Sequence, residues 1–131
     1  MQREMNIPTG EVVLLVIALA SKKGKIQIIS EDALYRVFKS LTEEFPNYFQ
    51  RLRWHVLATS GFPYCGEFED ILFRAGASDC LLRTGLRMNK FVMEERTVKA
   101  IEESAKKHFG EDVLDKMEAL VERFIELSPK N

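Results

Sequence analysis

The sequence predicts an α+β fold, mostly helical, in which a winged-helix-like core with a short β-hairpin is followed by C-terminal helices. Three observations predict it. Apolar residues recur at helical spacing in separate stretches along the chain. The β-branched run "KIQIIS" falls between the first two of these, and "DCLLRTGLRMNKFVMEE" sets two short apolar runs around a glycine. Helix, short strand, helix, turn, helix, hairpin and terminal helices therefore follow in the order of a winged-helix-like domain with a helical extension. The expected organisation is one domain over residues 1–131, with the core at 1–95 and the extension at 96–131.

The first helix is expected in "NIPTGEVVLLVIALASKKGK", with Thr9 as N-cap and Gly24 as the break after Lys22 and Lys23, which suit the negative end of the helix dipole. It is apolar almost all round, so it belongs at the centre of the fold. After the brief strand, Ser30 caps a second helix in which Leu34, Val37, Phe38 and Leu41 repeat at helical spacing up to the stop at Pro46. From Leu52 to Ala58 the order alternates, with Leu52, Trp54, Val56 and Ala58 on one side; this predicts a strand, with a helix as competitor. Ser60, Gly61 and Pro63 make a turn, and from Glu67 the residues Phe68, Ile71, Leu72 and Ala75 form a helical face that Gly76 stops. Gly85 supplies a positive φ to the hairpin turn. Two stripes follow, Val98, Ile101, Ala105 and Phe109 up to Gly110, then Val113, Met117, Leu120, Phe124 and Leu127 before Pro129.

Composition narrows the function classes. Hydrophobic residues at 46% and charged residues at 30% exclude a disordered chain. Lys and Arg number 19 against 20 Asp and Glu, which removes the large positive field that generic nucleic-acid binding uses, though a local basic patch is compatible with it. The apolar run Val12–Ala20 falls well short of the roughly 20 residues of a membrane helix, and the charges of "SKKGK" after it do not suit a signal peptide. Cys65 and Cys80 stand outside any CxxC pair, which fits neither a disulfide framework nor a zinc knuckle. The expectation is a cytoplasmic protein with reduced thiols, away from membranes.

Each chemically suggestive residue has a plain structural explanation. Cys65 precedes a helix N-terminus, a position that favours the thiolate, but neither His55 nor His108 stands at a spacing that marks it as a base for that thiol. Glu67, Glu69 and Asp70 suit the positive end of a helix dipole without serving acid–base or metal chemistry. No catalytic, cofactor-binding or metal-binding residue is therefore assigned. The stretch from Leu82 to Phe91 is different: it carries Arg83, Arg87 and Lys90 without an acid, and Arg74 lies just upstream. On a wing these four cations are candidates for phosphate contact, or else they keep an exposed hairpin soluble. Met117, Leu120, Phe124 and Leu127 form a stripe that buries against the same domain or against a partner, a second copy included, which leaves monomer and homodimer both open.

The segment "SGFPYCGEFEDILFRAGASDCLLRTG" places a Gly/Pro/aromatic turn before a Glu-rich helix, a small-residue stop and a Leu-Leu run. On Gly61, Pro63, Tyr64, Glu67, Phe68, Leu72, Leu81 and Leu82 it resembles the matching segment of the Panacea and YwgA-type proteins. The resemblance implies an all-helical core with a winged-helix-like hairpin, in proteins that act by binding other proteins, antitoxins among them, rather than by catalysis. The functional expectation is thus a non-enzymatic protein-interaction or regulatory module of antitoxin-like character, without cofactor. The alternative is a winged-helix regulator that binds nucleic acid through the basic hairpin.

Overall fold

Helix α1 (Thr9–Lys22) lies at the centre because it has almost no polar side to give to water: Val12, Val13 and every residue from Leu15 to Ala20 are buried. The computed structural model describes residues 7–24 and 28–129. The N-cap of α1 is Pro8 rather than Thr9; its carbonyl accepts from Val12 N at 3.1 Å, and Thr9, buried inside the first turn, makes no capping bond. Proline's fixed φ and free carbonyl serve the same end without a side-chain acceptor. At the other end Lys22 and Lys23 pair with Glu102 at 2.6 Å and Glu122 at 2.9 Å, and Gly24 takes φ 71°.

Strand β1 (Ile28–Ser30) runs into helix α2 (Glu31–Glu44), where Ser30 Oγ accepts from Ala33 N at 3.2 Å, the cap expected there. The expected strand residues Lys25, Ile26 and Gln27 lie outside the described residues. Leu34, Val37, Phe38 and Leu41 are buried, as their spacing requires, and Pro46 opens a 3-10 turn, Pro46–Tyr48.

The alternation from Leu52 to Ala58 yields much less strand than it suggests. Only β2 (His55–Val56) forms, paired antiparallel with β3 (Pro63–Tyr64). Val56 is 59% exposed and Ala58 is exposed, because a two-residue partner gives the outer half of the pattern no sheet face to bury against. Leu52 and Trp54 are covered for another reason: the Trp54 ring lies 5.4 Å from that of Phe68, and its Nε1 donates to Thr42 Oγ1 at 2.9 Å.

Helix α3 (Gly66–Ala77) buries Phe68, Leu72 and Ala75 and half-buries Ile71. Gly76 does not stop it. The helix runs on to Ala77, and the chain turns away at Asp79, which takes φ 60°, a left-handed conformation that Asp tolerates better than most residues. Strands β4 (Leu82–Thr84) and β5 (Lys90–Val92) then form the expected hairpin, with Gly85 at φ 91° and Met88 also left-handed at φ 54°. β5 pairs with β1 on its other side, so the antiparallel sheet has the order β1-β5-β4, with Ile29, Phe91 and Arg83 in register across it.

Helices α4 (Glu95–Phe109) and α5 (Val113–Leu127) pack on α1, and α5 also packs on α2. Val98, Ala105, Val113, Met117, Leu120, Val121 and Phe124 belong to the same apolar cluster as α1, so no separate core divides the described residues at position 95. Within that cluster the Phe38 ring stands 5.0 Å from Phe68 and 5.4 Å from Phe124, joining α2, α3 and α5. The architecture is α+β and mostly helical, with small antiparallel sheets.

Candidate docking cleft beside the hairpin

The inward face of α3 is spent on Phe68, Leu72 and Ala75, and helical geometry then turns Glu69, Asp70 and Phe73 outward. Phe73 is 73% exposed. Beside it, a cleft of about 870 Å3 opens between α3, the start of α2 and the β4–β5 hairpin. Tyr35, Leu72, Leu81 and Phe91 contribute its apolar lining, while the small residues Gly76 and Ala77 on its helical wall leave room.

The charge of this cleft is negative. Glu31, Glu69, Asp70 and Asp79 line it against a single lining cation, Arg83. Arg83 is fully engaged: it donates to Glu31 Oε2 at 3.3 Å and to the Met88 carbonyl at 3.1 Å, and its guanidinium lies 4.5 Å from the centre of the Phe91 ring. Asp70 is paired with Arg74 at 3.0 Å, one helical turn on. Glu69 and Asp79 have no ion-pair partner among the described residues. Burial pushes the Tyr35 phenol up to about 12, and the neighbouring Glu69 and Glu31 carboxylates push it the same way, so it stays a neutral hydroxyl in a negative field.

The four cations expected to act together are not used alike. Arg74 and Arg83 are committed to carboxylates of α3 and α2, whereas Arg87 and Lys90 are exposed and have no ion-pair partner among the described residues. The hairpin loop between them also presents Leu86, fully exposed, and Met88, more than half exposed. The stripe of Met117, Leu120 and Phe124 is buried in the core and Leu127 is half-buried, so these residues serve packing within the chain and leave no open face for a partner.

The cysteine turn is structural. Cys65 is fully buried and is itself the N-cap of α3: its Sγ accepts from Phe68 N at 3.4 Å and donates to Glu67 Oε1 at 3.3 Å. Burial pushes the thiol up, and the Glu67 carboxylate adds to this, outweighing the Phe68 N–H that favours thiolate. Glu67 also accepts from Arg53 N at 3.2 Å, a bond that holds its carboxyl below the usual range and ties the preceding loop to the helix start. His55 is exposed on β2, and His108 lies on α4 with its Nδ1 2.9 Å from the Ser104 carbonyl. Among the described residues no cluster of His, Cys, Asp or Glu has the arrangement to hold a metal.

No family model and no curated protein matches this chain. The character of the site accordingly rests on its own geometry. Sequence patterning had singled out Glu69, Asp70 and the hairpin cations but not Tyr35, Phe73 or Asp79. Phe73 carried a usable signal, since it falls out of phase with the Phe68–Leu72–Ala75 stripe and therefore had to face water. Glu31 and Asp79 carried none, because they reach the cleft from other elements.

Proposed function

We propose that this chain is a non-enzymatic protein-interaction module of regulatory, antitoxin-like character, and that its partner docks in the cleft between α3 and the hairpin. The observation that carries the proposal is Phe73, a large aromatic side chain left 73% exposed at the edge of an acidic cleft with an apolar lining. An exposed aromatic beside a partly apolar groove is the composition of a protein-binding hot spot, while the carboxylates around it repel phosphate. The resemblance of the α3 segment to proteins that bind other proteins supports the same reading, and the free thiols of Cys65 and Cys80 suit the reducing cytoplasm.

A second reading has support of its own. The order α1-β1-α2-α3-β4-β5, with the β2–β3 ribbon inserted between α2 and α3, and the sheet order β1-β5-β4 suit a winged-helix domain, and Arg87 and Lys90 stand on its wing with no ion-pair partner among the described residues. Against it, the helix that would enter a groove presents Glu69 and Asp70 there.

Selection of a displayed random-peptide library on the purified protein separates the two. The interaction reading expects enrichment of peptides that combine Lys or Arg with large apolar residues, and loss of their binding in Phe73→Asp. Absence of enrichment, or peptides indifferent to that change, would end it. Salt-dependent anisotropy of a labelled duplex that weakens in an Arg87→Ala, Lys90→Ala double variant would favour the wing instead.

A further inference from the structure

A groove with acidic walls and an apolar lining selects an occupant that is cationic and apolar together. The chain carries one such segment on its own surface. At the hairpin tip Leu86 and Met88 flank Arg87, with Lys90 two residues past Met88, and the two cations have no ion-pair partner among the described residues. The cleft in turn offers Glu69 and Asp79 without ion-pair partners among the described residues, and Phe73 without cover. The tip does not serve its own cleft: the strands that carry it supply Leu82, Arg83 and Phe91 to the cleft wall, and Leu86 beyond them is fully exposed.

Resting on the reading of the cleft as a docking site, we infer that its occupant is the hairpin tip of a second copy of this chain. Leu86 and Met88 of one protomer then cover Phe73 of its partner, and Arg87 meets the carboxylates of Glu69 and Asp79. A two-fold arrangement makes both contacts at once and closes the assembly, so that neither tip nor cleft is left over to propagate a fibre. The charged part of the contact lies at an accessible rim, where added salt weakens it.

Sedimentation velocity over a concentration series tests this with the full chain. The wild type is expected to shift from monomer to dimer as concentration rises, and Arg87→Glu and Glu69→Lys are each expected to weaken that association by about tenfold or more. An equimolar mixture of the two variants is expected to recover dimer, because each tip then meets a cleft of opposite charge in both directions. Both positions are exposed, and unchanged melting curves establish that the variants fold. A wild type that remains monomeric throughout, single variants that associate as the wild type does, or a mixture that stays monomeric would each overturn the inference. Failure of the dimer alone is distinguishable from failure of the cleft: in that case selected peptides still bind the monomer and lose binding in Phe73→Asp.

Discussion

Tyr35 shows how far a single side chain depends on its surroundings. Its ring is 4% exposed and packs edge-on against Phe68 at 5.1 Å, while its phenol faces the cleft carboxylates. The folded pKa, about 12, lies above the ordinary value of 10.0, so between these pH values the folded state holds a proton that the unfolded chain has released. Stability is therefore fully present below about pH 10 and is lost as pH rises toward 12. Tyr35→Phe is expected to lose less stability across that window than the wild type, as read by urea unfolding at each pH. Equal alkaline losses in both proteins would show that the phenol is not the group responsible. Cys65, whose thiol is also raised, adds a loss of the same sign and is expected to react with a thiol reagent more slowly than the half-buried Cys80.

At the scale of elements, what the sequence showed depended on whether the stabilising partner was local. Helix α2 was legible apart from its buried Tyr35, because its cap, its apolar stripe and its proline stop all lie within the segment itself. Ser30→Ala is expected to cost about 1 kcal/mol, read as a lowered melting temperature with the helix content kept; an unchanged melting temperature would mean the Ser30 Oγ bond contributes nothing. The hairpin was legible for the same reason, since Gly85 supplies its own left-handed turn. The alternating run at Leu52–Ala58 misled because a strand depends on its neighbour, and β3 is too short to extend β2. The cleft was the least legible feature. Its acidic wall joins the start of α2 to α3 and the turn at Asp79 that follows it, two stretches that lie far apart in sequence and meet only once the core has formed.

For the whole molecule, the decisive relation is that α1 is enclosed by elements from the other end of the chain. A helix apolar on nearly every side announces that it must be covered, but periodicity alone does not say by what, and that is why 96–131 looked like an extension. In the fold α4 and α5 cover it, Lys22 of α1 reaches the nearly buried Glu102 of α4, and Phe124 of α5 completes the aromatic cluster around Phe38. Removing α4 and α5 would take away two elements that pack on α1 and expose apolar side chains of that helix at once. Each such side chain is worth about 1.5–3 kcal/mol when fully buried, and a domain's entire net stability is only about 5–15 kcal/mol. A chain ending at residue 95 is thus expected to show no cooperative thermal transition by circular dichroism and to aggregate. A cooperative melt from that fragment would mean that the fragment carries a sufficient core by itself, and that α1 is closed by α2 and the sheet rather than by the C-terminal pair.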